Sequence, residues 1–191
     1  QRAINIYEKI LDSNQPDIAT LNTLALLYVD LGRYAEAEPL YQKALAINKK
    51  TYVDDNLYVA DSLNGLANIY VVQGRYAEAE PLYQRSLEIN EKIHDPYHPD
   101  VAMSLDNLGS LYADQFRFDL AEPLFQRALA IYVQAYDPDH PKVADSHMVL
   151  ANLYKGQGRY AEVEQLYQKS LAIYEQAYID DDHPDIAMNL Y

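Results

Sequence analysis

The chain repeats one pattern of residues four times, with a constant period of 42 positions. The segment Arg33–Gln42 returns at 75–84, 117–126 and 159–168, each time with Tyr or Phe at its second and ninth positions. A fixed period of roughly 20–50 residues is typical of stacked repeat units, which bury their apolar faces against neighbouring units. The repeat also explains the lopsided aromatic content of 19 Tyr, 3 Phe and no Trp.

Each unit contains two apolar patterns with helical spacing. In the second unit the first pattern includes Leu63, Leu66 and Tyr70, and the second includes Tyr76 and Tyr83. Apolar residues three or four positions apart lie on one face of an α-helix. Each unit is therefore predicted to be a pair of helices, and the fold class is predicted to be all-α.

A glycine separates the two helical patterns in three of the four units. Glycine accepts the left-handed backbone that closes many helices, so Gly32, Gly74 and Gly158 are predicted to end the first helix of their units. Phe116 takes this position in the third unit. Because a bulky residue adopts positive φ only at a cost, we expect the third turn to differ from the others.

Prolines mark two other positions of the unit. Pro99, Pro141 and Pro184 lie in the polar joins between units, and each is predicted to take the first position of a helix, where its missing N–H costs nothing. A second set lies about one turn inside the second helix, where it should remove a hydrogen bond and bend the helix; it comprises Pro39, Pro81 and Pro123. Gln165 takes this position in the fourth unit, for which we expect a straighter helix.

The register of the repeat predicts a single array of four whole units and two partial ones. The whole units are predicted at 17–56, 57–98, 99–140 and 141–183, and the partial ones at 1–12, with a second helix alone, and at 184–191, with a first helix alone. We therefore expect the chain to be an excerpt of a longer array.

Charge and composition exclude several classes of partner. Fifteen Lys and Arg against 29 Asp and Glu give a formal net charge of −14, so the chain lacks the basic face that phosphate binding requires. No apolar run is long enough to span a membrane, and the first residues lack the pattern of a signal peptide. We expect no nucleic-acid partner, no membrane partner and a cytoplasmic location. The absence of Cys excludes disulfides and thiolate metal sites.

No motif supports catalysis or a cofactor. A His-Pro-Asp sequence occurs at 98–100 and 183–185, where the start of a helix explains it. The acidic turns at 137–140 and 180–183 could bind Ca²⁺ weakly, but they lack the ligand spacing of an EF-hand. His147 lies on an apolar helix face and is interpreted as a packing residue. We expect a protein that is not an enzyme, with no metal and no cofactor.

The repeated unit resembles the tetratricopeptide repeat. In the second unit the residues that carry the resemblance are Leu66, Ala67, Tyr70, Gly74, Tyr76, Ala79, Tyr83 and Ser86. The unit is longer than the common one of about 34 residues, and its Ala-Glu-Pro-Leu-Tyr and His-Pro-Asp-Val-Ala elements are similar to those of the kinesin light chain subtype. The resemblance implies a right-handed superhelical solenoid of antiparallel helix pairs that acts as a non-catalytic protein-interaction scaffold.

In this family the first helices line a concave groove, so the resemblance implies a peptide-binding surface on them. The residues that it assigns to this surface are Asn22, Asp30, Asp61, Asn64, Asn68, Asp106, Asn107, Asp114, Asp145, Asn152 and Lys155. Asparagine amides both donate and accept hydrogen bonds, so they can hold the backbone of an extended peptide. Because aspartate dominates the set, we expect a neutral or basic peptide whose binding weakens with salt. The alternative is that these carboxylates only keep the surface soluble.

Two other functions stay open. The partial units could present apolar faces, so that residues 1–11 of one chain pack against 184–191 of another and the array grows end to end. Alternatively, the chain is a sensor or spacer segment of a larger signalling or motor-adaptor protein.

Overall fold

A computed structural model describes Ile4, Ile6, Tyr7 and residues 17–51 and 56–177 of the chain. These residues form eight α-helices and no strand, which confirms the all-α prediction. The helices are α1 (Ile18–Asp30), α2 (Tyr34–Thr51), α3 (Leu57–Val72), α4 (Tyr76–Ile93), α5 (Pro99–Asp114), α6 (Phe118–Ala135), α7 (Pro141–Gly156) and α8 (Tyr160–Ala177). Some predictions fall outside the described residues. They are the acidic turn at 180–183, the helix start at Pro184, and the partial repeats at 184–191 and over most of 1–12.

The helices belong to two compact units, which are described one at a time. Unit one extends from Gln1 to Ile93 and contains α1–α4, whereas unit two extends from His94 to Tyr191 and contains α5–α8. Within each unit every helix packs against the next one in the chain, and α1 also packs against α3. Because neighbours in sequence are neighbours in space, each unit consists of two helix pairs of the predicted kind.

Small residues line the contact between the helices of each pair. Ala25 on α1, Ala67 on α3 and Ala151 on α7 are fully buried. Gly109 takes this position on α5, where an added Cβ would lie 2.7 Å from Cε1 of Phe125 on α6. Small residues at this position permit a close approach of the two backbones, and in the α5–α6 pair the aromatic ring of Phe125 fills the space beside Gly109.

The turn inside each pair has the same backbone in all four pairs. Gly32, Gly74 and Gly158 have φ of 69°, 73° and 75°, which confirms the prediction for these glycines. The prediction of a different third turn was wrong, because Phe116 has φ of 59°. Its N–H donates to the Ala113 carbonyl at 2.9 Å, in the same way that Gly74 donates to Val71 at 2.9 Å.

The hydrogen bonds that close the helix explain why a phenylalanine adopts this backbone. The N–H of Arg117 reaches back to the Tyr112 carbonyl at 2.9 Å, which satisfies a carbonyl at the end of α5. The Phe116 side chain is 81% exposed, so it meets no steric obstacle beyond its own backbone. Its ring lies edge-to-face with that of Phe118, at 5.9 Å between centroids. The closing bonds therefore outweigh the local strain.

An arginine follows each of these turns and lies over a tyrosine of the preceding helix. The distances from guanidinium carbon to ring centroid are 4.5 Å for Arg33 on Tyr28, 3.8 Å for Arg75 on Tyr70, 4.4 Å for Arg117 on Tyr112 and 3.7 Å for Arg159 on Tyr154. Such cation–π contacts are favourable when the cation lies within about 6 Å of the ring centre. We call these four residues the turn arginines.

Two turn arginines also bind a glutamate of the second helix before them. Arg75 contacts Glu38 on α2 at 3.3 Å, and Arg159 contacts Glu122 on α6 at 2.9 Å. Each also pairs with the glutamate three positions later, and the hydrogen bond from Arg75 lowers the pKa of Glu78. In this way one side chain connects the two helices of its own pair to the pair that precedes it.

Proline and histidine together begin the first helices of unit two. Pro99 and Pro141 occupy the first turn of α5 and α7, which confirms the prediction for both. His98 is the N-cap of α5, and its Nδ1 accepts a hydrogen bond from the Asp100 N–H at 3.2 Å. His140 caps α7 in the same way.

The second helices α2, α4 and α6 continue through their internal prolines, so the bend expected there stays a prediction.

Replacing Phe116 by glycine should stabilise the protein. A left-handed non-glycine residue costs roughly 1–2 kcal/mol, whereas glycine loses roughly 0.5–1 kcal/mol more conformational entropy on folding. We therefore expect Phe116→Gly to raise the free energy of unfolding by about 0.5–1 kcal/mol in urea denaturation. Phe116→Ala is the control, since it removes the ring but keeps the strain. Equal stability of the two variants would contradict the interpretation.

Candidate functional site

The residues predicted to bind a peptide lie on α1, α3, α5 and α7, the first helices of the four pairs. The structure divides them by exposure. The exposed residues are Asp30, Asp61 and Asn68 in unit one and Asp114, Asp145, Asn152 and Lys155 in unit two. The remaining four, Asn22, Asn64, Asp106 and Asn107, are half-buried or buried. The exposed residues are the part of the predicted set that a partner can reach, although Asp145 also pairs with Lys142 at 3.6 Å.

Asn22 connects two first helices. Its Nδ2 donates to the Tyr58 carbonyl on α3 at 3.0 Å, and its Oδ1 accepts from the Ser62 hydroxyl at 2.7 Å. Both ends of the amide are therefore used inside unit one. Asn64 is also internal, since it is only 8% exposed, and its Oδ1 has no hydrogen-bond partner among the described residues. Asn22 therefore supports the packing of unit one, whereas Asn64 is too buried to meet a ligand.

Asp106 lies half-buried on α5 and accepts a hydrogen bond from the Tyr132 hydroxyl at 3.1 Å. Burial raises the pKa of Asp106 to about 6, although the bond from Tyr132 and the charge of Lys142 act in the opposite direction. Its negative charge is therefore costly to the fold near neutral pH. Burial, with a contribution from Asp106, also raises the pKa of Tyr132.

Tyrosine hydroxyls of the second helices hold three of the exposed residues. Tyr83 donates to Asn68 Oδ1, Tyr167 donates to Asn152 Oδ1 at 3.1 Å, and Tyr174 donates to the carboxylate of Asp145. Because tyrosine occupies the oxygen of each asparagine, the NH₂ group is the part of the amide that can donate to a ligand. The second helices thus orient polar groups that the first helices carry.

The spacing of asparagine and tyrosine in the sequence is a signal for this arrangement. Asn68 and Asn152 are each followed fifteen positions later by a tyrosine, whereas Ser110 is followed by Phe125 at the same spacing. In the first repeat Tyr41 follows Leu26 at this spacing, so the pair is indicated only where asparagine and tyrosine occur together. The 42-residue period alone does not reveal these pairs, because it reports where tyrosines recur and not what their hydroxyls contact.

Apolar side chains accompany the exposed polar ones. Leu26 on α1 and Val72 on α3 are 53% and 60% exposed, and Met103 on α5 is 44% exposed. Isolated exposed apolar residues are common on protein surfaces. Their position on the first helices gives each unit an apolar contact beside its carboxylates.

Histidines outside this surface have different surroundings. His147 is half-buried on α7, and burial lowers its pKa, with a smaller contribution from Lys169. Its Nδ1 has no hydrogen-bond partner among the described residues. The described residues that could together hold a metal ion are not those of the turn at 137–140 but His94, His98 and Asp100, at the join between α4 and α5.

Comparison with known families identifies the repeat. The tetratricopeptide repeat profile matches residues 1–50, 16–92, 58–132 and 107–176. The chain belongs to the tetratricopeptide repeat family. No curated protein matches it at a significant level.

Solved structures similar to this tetratricopeptide array include kinesin light chain-like proteins. A candidate kinesin light chain of Podosopora anserina, with nearly identical TPR-like repeats, is 25% identical, with a TM-score of 0.78, 90% of this chain covered and 81% of that one. BtubC (BKLC) from P. vanneervenii is 22% identical, with a TM-score of 0.79 and coverage of 98% and 76%. MamA is 19% identical, with a TM-score of 0.66 and coverage of 92% and 88%. The last two likenesses concern the fold alone.

Proteins of this family generally act as scaffolds for protein interactions. Among the described helices of the array, none combines the length and apolar character that a bilayer crossing requires.

Removing the charge of Asp106 should change how the stability of the array depends on pH. The raised pKa means that this carboxyl stabilises the fold below about pH 3.8, and that its contribution is lost as the pH rises through about 6. We expect Asp106→Asn to gain on the order of 2 kcal/mol relative to the parent between pH 4 and pH 7. Urea unfolding at several pH values measures this difference.

The control for this experiment is Asp114→Asn, which removes an exposed carboxylate from the same helix. If the parent and Asp106→Asn differed by the same amount at pH 4 and at pH 7, the proposed cost of the Asp106 charge would be wrong.

Proposed function

We propose that this tetratricopeptide array is a non-catalytic scaffold that binds an extended, neutral or basic peptide on its first helices. The observation that carries the proposal is the exposure of Asp30, Asp61, Asp114 and Asp145 on those helices, where Lys155 is the exposed cation of the predicted set. A surface with this charge attracts Lys and Arg side chains and repels acidic peptides. The net charge of −14 also attracts basic peptides over a longer range.

The positions of the turn arginines support the same choice of partner. An acidic peptide would need Lys or Arg side chains that are available to its carboxylates. Arg75 and Arg159 instead lie over tyrosine rings and pair with two glutamates each. Hydrogen bonds to these glutamates raise the pKa of both guanidinium groups. The basic residues of these turns therefore serve the fold.

The polar and apolar groups beside the carboxylates suit an extended backbone. The NH₂ groups of Asn68 and Asn152 can donate to peptide carbonyls, and tyrosine holds each amide in one orientation. Leu26 and Val72, which lie in unit one with Asn68, can contact an apolar side chain of a peptide bound to that unit. In this proposal the amides bind sequence-independently, and the carboxylates and apolar contacts provide the preference.

Binding of labelled peptide pools tests the proposal. We would measure fluorescence anisotropy with basic, neutral and acidic Trp-containing pools at two salt concentrations. The basic pool should bind best and lose affinity with salt, since exposed charge pairs are screened. Replacing Asp61 and Asp145 together by Asn should weaken its binding by roughly 2–5-fold per carboxylate, the effect of an exposed ion pair worth about 0.5–1 kcal/mol.

The control variant changes the net charge equally but on second helices. Glu88→Gln on α4 with Asp119→Asn on α6 removes two exposed carboxylates and leaves the first helices unchanged. It should bind the basic pool as the parent does, apart from a small long-range effect. Preference for the acidic Trp pool, or equal weakening by both double variants, would contradict a peptide site on the first helices.

A further inference from the structure

The join between α4 and α5 brings together three side chains that the peptide surface does not use. We propose that His94, His98 and Asp100 form a binding site for a divalent transition metal ion, with Zn²⁺ as the expected occupant. This site is independent of the proposed peptide binding. Three observations support it: the distances among the donor atoms, an unpartnered nitrogen, and the residues at the equivalent join of the next pair.

The donor atoms already lie at distances suited to a metal ion. His94 Nε2 is 3.3 Å from Asp100 Oδ2, and His98 Nδ1 is 3.6 Å from the same oxygen. One ligand atom from each of the three residues lies within 4.8 Å of the other two. Zinc binds nitrogen and oxygen at about 2.0–2.2 Å, so neighbouring ligands of a tetrahedral site are about 3.3–3.6 Å apart. Two of the three separations match this value.

His94 supplies a buried nitrogen that the stacking of its ring on His98 leaves without a hydrogen bond. Its side chain is 14% exposed, and Nε2 is buried without a hydrogen-bond partner among the described residues. Although Nε2 lies near the Asp100 carboxylate, the pair does not form a hydrogen bond. A buried polar atom without a partner is costly to the fold. A metal ion between Nε2 and the carboxylate would satisfy both groups.

A comparison with the equivalent join, between α6 and α7, shows which residues the structure of a join uses. There Tyr136 stacks on His140 at 4.3 Å, and His140 caps α7 through the N–H of Lys142. His94 likewise stacks on His98, at 3.7 Å. Tyrosine and lysine at this other join therefore retain both the ring stacking and the N-cap. The fold needs neither a second imidazole at position 94 nor a carboxylate at position 100.

Ligand chemistry favours a transition metal over Ca²⁺ or Mg²⁺. Two imidazoles and one carboxylate suit Zn²⁺, Ni²⁺ and Cu²⁺, whereas the harder cations prefer a full set of oxygens. Three protein ligands leave the fourth position of a zinc ion to water. The strongly negative charge of the chain also raises the local concentration of cations.

Metal binding has a cost that keeps the affinity moderate. A metal ion lies near the plane of each imidazole that binds it, so the stacked rings of His94 and His98, now 9° apart, must tilt. Coordination by His98 Nδ1 also competes with the hydrogen bond that this atom accepts from the Asp100 N–H. We therefore expect a site that binds and releases its metal, unlike the closed structural sites of zinc fingers.

Isothermal titration of the chain with ZnCl₂ tests the proposal. The decisive variant is His94→Tyr with Asp100→Lys, which gives this join the residues of the equivalent one and so preserves stacking and cap. We expect the parent to have one zinc site. The double variant should lack this site or bind zinc at least ~10-fold more weakly, because even changes in the second shell of metal sites weaken binding by about 10-fold or more. Circular dichroism checks that the helices are unchanged.

Two further measurements separate this site from general binding by histidines and carboxylates. His140→Asn keeps a good N-cap residue at the other join and should leave the zinc site intact. CaCl₂ in excess should not displace zinc. The proposal would be overturned if the double variant bound zinc as the parent does, if His140→Asn lost as much affinity, or if calcium displaced zinc from the site.

Discussion

The contact between each turn arginine and its tyrosine is the interaction on which the rest of the structure depends. The turn between the helices of a pair can close only if the chain leaves one helix and enters the next at a fixed angle. The left-handed residue and the closing hydrogen bonds set that angle, and a guanidinium over the ring, at 3.7 Å for Arg159 on Tyr154, adds a side-chain contact across the turn. The ion pair with Glu122 then positions this pair against α6. Arg75 and Arg159 therefore each contribute both to their turn and to the packing of their pair against the preceding one.

This use of arginine also shapes the surface available to a partner. The chain has few basic residues, and those of the turns are directed to tyrosine and glutamate, so the first helices retain their acidic character. The hydroxyls of Tyr83 and Tyr167 also shape this surface, because they hold the amides of Asn68 and Asn152. Fold and candidate site thus draw on the same small set of polar groups, since three of the exposed residues also accept hydrogen bonds from tyrosines of the second helices.

Most of the fold could be predicted from the sequence, because a 42-residue period, three turn glycines and helix-starting prolines all specify local backbone. Phe116 was the exception, since the bonds that close α5 outweigh its own preference. The candidate site was less accessible to prediction. Asn22 and Asn68 are chemically identical and both lie on first helices, yet one connects α1 to α3 and the other is exposed. That difference depends on how neighbouring helices are rotated, which residue type and spacing do not report.

The two acidic features of the chain select different cations for a physical reason. Asp61 and Asp145 lie on helix surfaces where exposed carboxylates attract any positive group, with an energy that salt reduces. Asp100 instead lies within reach of two imidazoles, whose nitrogen lone pairs coordinate a transition metal and have no attraction for an ammonium or guanidinium group. A basic peptide and a metal ion therefore need not compete. The two described joins that precede Pro99 and Pro141 have the same histidine cap, and the side chains at positions 94 and 100 distinguish the proposed coordinating join from the other one.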